Sequence, residues 1–155
     1  MQNAKKYLQI TLIVLIVATI SFIFINSMLP PEASSEQSGA VAEFIETIIP
    51  EDTELGSLIQ EYIRKIAHFT EYGLLGFEIA IYIVLFVEKR LMYAMVNMLT
   101  PLVVGFVDET IQIFSDRGPS ITDVWIDIGG FVFFSVIAYM ICGLIYAFKR
   151  ALGSR

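Results

Sequence analysis

The sequence predicts an all-α membrane protein: a bundle of four transmembrane helices plus a short amphipathic interfacial helix on the outer side. Three observations carry this. Hydrophobic residues make up 56% of the 155-residue chain and charged residues 17%, against about 25% charge in a soluble domain; mean hydropathy is +0.71. Four apolar stretches approach the roughly 20 residues that a helix needs to cross the hydrocarbon core. Lys and Arg are divided unevenly among the segments that join those stretches, and that division orients a membrane protein.

The first span is predicted over residues 8–29, broken only by small polar residues and Asn26. Lys5 and Lys6 precede it as they would a signal peptide. Its apolar run is longer than a typical signal core and no clear A-x-A site follows, so it is expected to remain as a helix. The outer segment, residues 30–65, opens with Pro30-Pro31-Glu-Ala-Ser-Ser-Glu-Gln-Ser, a turn-rich polar stretch. Val41, Phe44, Ile45, Ile48 and Ile49 then recur at i, i+3, i+4, i+7 and i+8. That pattern predicts an amphipathic helix in the membrane interface, stopped by Pro50. Ser57-x-x-Gln60 resembles a capping box, so the next helix is expected to start well before the bilayer.

The second span is predicted over 66–87 and the third over 91–107, with its helix continuing to about Ser115. Only Glu88-Lys89-Arg90 separates them, which makes them antiparallel neighbours. The fourth span is predicted over 124–148. No internal repeat and no second domain is visible, so residues 1–155 form a single domain. Lys5, Lys6, Lys89, Arg90, Lys149, Arg150 and Arg155 fall on one side; Arg64, Lys65 and Arg117 fall on the other. Both termini are therefore expected in the cytoplasm. The eight carboxylates between Glu32 and Glu61 are expected outside.

Two charged clusters sit where the membrane makes them most costly. The first is Arg64-Lys65-x-x-His68-Phe69-x-Glu71-Tyr72. The second is Asp108-Glu109-x-x-Gln112-x-Phe114-x-x-Arg117, followed by Asp123 and Asp127. Ionisable groups at such depth face a protein interior or polar cavity and mark function. Helical phase places Arg64, His68, Glu71 and Leu75 on one face, with Lys65 and Tyr72 flanking. Asp108 and Gln112 are i and i+4, as are Asp123 and Asp127. His68, Glu71, Asp108, Gln112, Arg117 and Asp123 are therefore expected to converge on one outward pocket, with Arg64, Lys65, Glu109 and Asp127 on or near its rim. Arg117 is expected to bridge carboxylates at the mouth with its planar fork. Gly129-Gly130 is expected to allow close helix packing.

Several chemistries find little support. His68, Glu71, Asp108, Glu109, Asp123 and Asp127 are numerous enough to bind a metal. No H-E-x-x-H or similar spacing appears, however, and Arg and Lys compete for the carboxylates, so neither metal nor cofactor is expected. No G-x-S-x-G elbow or Cys-His pair supplies a nucleophile. The single Cys142 lies in an apolar run and reads as packing. Basic residues are too few and scattered for nucleic acid.

The pair of motifs, Lys65-x-x-His68-Phe69-x-Glu71-Tyr72 and Asp108-Glu109-Thr-Ile-Gln112-Ile-Phe114 with Arg117, Asp123 and Asp127-Ile-Gly129 behind it, resembles the VanZ-like family from about residue 10 to 147. The resemblance implies a small multi-span membrane protein. It also implies a contribution to resistance against teicoplanin, a glycopeptide that carries a lipid tail. The family pattern usually has Asn where this chain has Asp127, so a charge replaces an amide here. Two functions follow. One is non-enzymatic: an outward pocket, with Arg64, Lys65 and Arg117 as cationic contacts, binds membrane lipids, a lipid-linked cell-wall intermediate or a lipoglycopeptide. The other is an enzyme acting on a lipid headgroup or polyprenyl-linked intermediate. There His68 is the general acid or base, Glu71 its orienting partner, and Asp108 or Glu109 a second carboxylate.

Overall fold

The computed structural model describes residues 2–49, 53–116, 118 and 120–153. It contains five helices: α1 (Gln2–Ser27), α2 (Pro31–Glu46), α3 (Glu54–Phe86), α4 (Arg90–Phe114) and α5 (Ile121–Gly153). No strand occurs among the described residues. Four helices, α1, α3, α4 and α5, are long and apolar enough to cross a membrane, and the protein is a multi-pass membrane protein.

The four long helices begin ahead of their expected apolar limits, and α4 and α5 also end beyond them, because polar residues at the ends keep helical hydrogen bonds. Thr53 caps α3, its hydroxyl accepting from the Gly56 amide at 3.0 Å. The helix thus begins four residues ahead of the Ser57 signal. The larger correction concerns α2. The Pro30-Pro31 stretch is not a loop: Pro31 opens the helix, where its missing N–H costs nothing and its fixed φ favours helix. Glu32 in the first turn complements the dipole. The helix ends at Glu46, before the expected stop at Pro50, which lies outside the described residues. Val41 and Phe44 remain exposed on α2.

The bundle is turned inside out relative to a soluble protein. On α4, Phe106 is 74% exposed while Asp108, two residues on, is fully buried. Lipid takes the place of water around Val14, Phe106, Trp125 and Leu144. The apolar core is Ile23, Tyr72, Leu75, Ile79, Ile83, Val104 and Phe131. Pro101 stands inside α4 without ending it; neighbouring helices make such a residue tolerable within a membrane.

The short α3–α4 connection makes those helices antiparallel, but the principal partner of α3 is α5. Glycines explain this. A Cβ on Gly76 would lie 2.2 Å from the Phe131 carbonyl oxygen, and one on Gly130 would lie 2.1 Å from that of Phe69. The two backbones touch reciprocally where neither has a side chain. Ser135 adds a 3.0 Å hydrogen bond to the Gly76 carbonyl. Of the Gly129-Gly130 pair, Gly130 makes the close approach; at Gly129 a Cβ would meet only the Phe69 ring, at 3.9 Å.

Candidate functional site

The end of α1, the outer part of α3, the end of α4 and the start of α5 meet at one end of the bundle. The close crossing at Gly130 and Phe69 sets one helical phase against another. His68 precedes Phe69, and Asp127 stands three residues before Gly130. Their side chains therefore meet: His68 Nδ1 lies 3.2 Å from Asp127 Oδ1. Asp108 reaches the same place from α4. Ligand atoms of His68, Asp108 and Asp127 all lie within 4.8 Å of one another. Residues from both sequence clusters meet here.

Asp108, Gln112 and Asp127 are completely buried, and His68, Glu109 and Asp123 nearly so. Asp108 accepts from the Ser27 hydroxyl through Oδ1 and from Gln112 Nε2 through Oδ2, at 3.2 Å. Tyr72 is fully buried beside Asp108. Glu109 accepts from the Ser120 amide at 2.8 Å through Oε2 and ties the α4–α5 loop down, while its Oε1 is buried without a partner. Ser120 accepts in turn from the Asp123 amide at 3.3 Å, capping α5. Asp127 Oδ2 is also buried without a partner. Such orphaned acceptors cost about 1–3 kcal/mol each, so a cluster holding several is under strain or awaits a ligand.

Arg64 stands at the mouth. Its side chain is 46% exposed, with Nη2 3.7 Å from Asp123 Oδ2 and 3.5 Å from Gln112 Oε1. The sequence led one to expect Arg117 to bridge two carboxylates at the mouth. That residue lies outside the described residues; Arg64 joins α3 to α4 and α5 through one carboxylate and one amide oxygen. Lys65 turns away from the cluster, its Nζ 4.8 Å from the centroid of the Tyr62 ring. It is an exposed cation on α3 and touches none of the buried carboxylates described above.

Two positions differ from the sequence expectation. Asp127 and Glu109 are buried within the cluster rather than at its rim. The α3–α5 backbone contact draws the Asp127 turn inward, and the Ser120 amide draws Glu109 inward. Glu71 does not orient His68; it accepts from Asn26 Nδ2 on α1 at 2.9 Å, and Asp127 holds the imidazole.

Sequence reasoning missed Asn26 and Ser27. The available signal was topological. Both end the first span, at the same end of a four-span bundle as the two clusters. Below them Thr19 donates to Glu78 at 3.1 Å, which accounts for a carboxylate deep in α3.

A family model described as VanZ/LLP1 matches residues 12–145, most of the chain and both motifs. The chain belongs to the VanZ/LLP1 family. No curated protein and no solved structure matches it. The residues matched to VanZ/LLP1 include His68, Asp108 and Asp127 of this polar cluster.

Proposed function

We propose that the cluster is the headgroup site of a VanZ-like membrane protein. It binds a lipid-like or cell-wall-related amphiphile at the outer face of the bacterial cytoplasmic membrane, and so contributes to resistance against teicoplanin-type glycopeptides. The observation that carries this is Arg64. Its guanidinium is held in place by Asp123 and Gln112 yet keeps nearly half its surface open. A cation positioned in this way suits an anionic headgroup whose tails remain in lipid. Lys5, Lys6, Lys89, Lys149 and Arg150 stand at the opposite end of the bundle. That supports placing the cluster outside and both termini in the cytoplasm.

The test has two arms. Lipids that co-purify with the chain in mild detergent are identified by mass spectrometry, and teicoplanin susceptibility is measured in cells. The expected result is an anionic or polyprenyl-linked lipid retained by the wild type. Arg64→Ala is expected to lose it, together with protection, at equal membrane abundance. An Arg64→Ala protein that keeps both lipid and protection sinks the reading.

The His68–Asp127 pair favours one second reading. A carboxylate-held imidazole is suited to move a proton, which would make the protein an enzyme on the same lipid. Turnover of a polyprenyl-phosphate or phospholipid by purified protein, abolished in His68→Gln, would support it. Binding without turnover would exclude it for those substrates.

A further inference from the structure

We propose that His68, Asp108 and Asp127 form a binding site for a divalent transition-metal ion of the zinc or manganese class. The sequence carries no metal spacing because the three ligands come singly from α3, α4 and α5 and converge only through the fold. Their ligand atoms lie within 4.8 Å of one another. The His68–Asp127 edge, at 3.2 Å, matches the edge of a coordination polyhedron whose bonds to N and O are about 2.0–2.2 Å. Asp108 closes the remaining edges by side-chain adjustment.

An independent observation points to a ligand. Asp127 is completely buried and its Oδ2 has no partner. The charge balance points the same way. Asp108 and Asp127 are buried with Glu71 and Glu109 close by, and among the described residues His68 is the only basic group within this set. The Arg64 guanidinium engages Asp123 and Gln112 rather than these carboxylates. A dication at the centre of the triad compensates Asp108 and Asp127, and a bidentate Asp127 brings its orphaned Oδ2 to the same ion.

The surroundings fit a metal-site second shell. Ser27 and Gln112 both donate to Asp108 and fix its orientation, as outer-shell donors do for metal carboxylates. One imidazole with two carboxylates favours zinc, manganese or iron over magnesium or calcium, which prefer oxygen alone. Three protein ligands leave a position for water or for an oxygen of a bound molecule. The proposal does not rest on the lipid reading, since metal content and lipid content are measured separately.

The experiment uses the full chain, purified in detergent without a polyhistidine tag and stripped with a chelator. It is then titrated with Co²⁺ and with Zn²⁺, and separately with Mg²⁺ and Ca²⁺ for comparison. The expected result is about one ion per chain, a Co²⁺ visible spectrum typical of N/O ligation, and a rise in the thermal midpoint. His68→Ala and the near-isosteric Asp127→Asn are expected to abolish binding. Gln112→Ala, acting through Asp108, is expected to weaken it about 10- to 100-fold. Far-UV circular dichroism shows which variants remain folded, and the wild-type titration stands without them. A wild type that binds neither ion overturns the proposal and leaves protons to neutralise the triad. Equal binding by folded His68→Ala, or preference for Mg²⁺ or Ca²⁺, overturns it as well.

Discussion

Helix α3 is gripped on two sides by different physics. Against α5 it is held by shape: Gly76 and Gly130 let backbones touch, so that each would-be Cβ falls on a carbonyl of the other helix. Against α1 it is held by polar rungs at successive heights, namely Asn26–Glu71 at 2.9 Å, Thr19–Glu78 at 3.1 Å and Gln9–Tyr82 at 3.2 Å. The first contact tolerates almost no change in volume. The second tolerates changes in volume but depends on matched donors and acceptors. In a bilayer neither can rely on the hydrophobic effect between helices, because the tails are as apolar as the side chains. Packing against α5 sets the geometry, and hydrogen bonding to α1 adds a helix to it.

The sharpest way to break this contrast is Gly76→Val. Overpacking by a methylene costs about 1–3 kcal/mol in a core that can adjust. Here the obstacle is the Phe131 carbonyl on a rigid helix, 2.2 Å from the new Cβ. The expected outcome is loss of folded protein, read as membrane abundance and as loss of a cooperative thermal transition. Gly130→Val is expected to behave alike.

His68→Ala tests the polar end of the same crossing. It strands Asp127 in a buried site, at a cost of about 3–5 kcal/mol. Replacing both partners with Leu is expected to recover most of that stability without recovering the activity of the site. Thermal unfolding in detergent, measured alongside teicoplanin susceptibility, separates the two effects. If the double variant is no more stable than His68→Ala, the cost lies in packing rather than in stranded charge.

Thr19→Val probes the other seam. It removes the donor to Glu78, whose second oxygen already has no partner. Side-chain hydrogen bonds within membranes are worth about 0.6 kcal/mol on average, so a small fall in the thermal midpoint is expected. A collapse as large as that of Gly76→Val would show that the polar rungs, not the backbone contact, hold the bundle. The smallest effect is expected for Gly129→Ala, next to the critical glycine. Its Cβ would meet only the Phe69 ring at 3.9 Å, and a change within about 0.5 kcal/mol is expected in the same assay.

These cases show how far the sequence could be read. Helical phase put His68 with Glu71, and Asp123 with Asp127, on shared faces, and the cost of exposing them to lipid placed them indoors. Phase alone could not choose partners across helices. Glu71 and Asp127 were both available to His68, and the rotation of α3 against α5 decides for Asp127. Nor could it rank Gly129 against Gly130, since a one-residue step turns a side chain by about 100°. The Pro-rich start of α2 was misread because the same residues serve both turns and helix first turns.

The sequence by itself determined the number of spans, the end of the bundle at which the charged residues gather and the family to which the chain belongs. Apolar length, charge placement and motif spacing add up residue by residue along a chain, and so can be read from it. Only the tertiary structure decided that α5 rather than α4 is the main partner of α3, that α1 supplies Asn26 and Ser27, and that His68, Asp108 and Asp127 form the centre. Those outcomes depend on where two backbones can touch. That is a property of paired surfaces, and no single helix carries it.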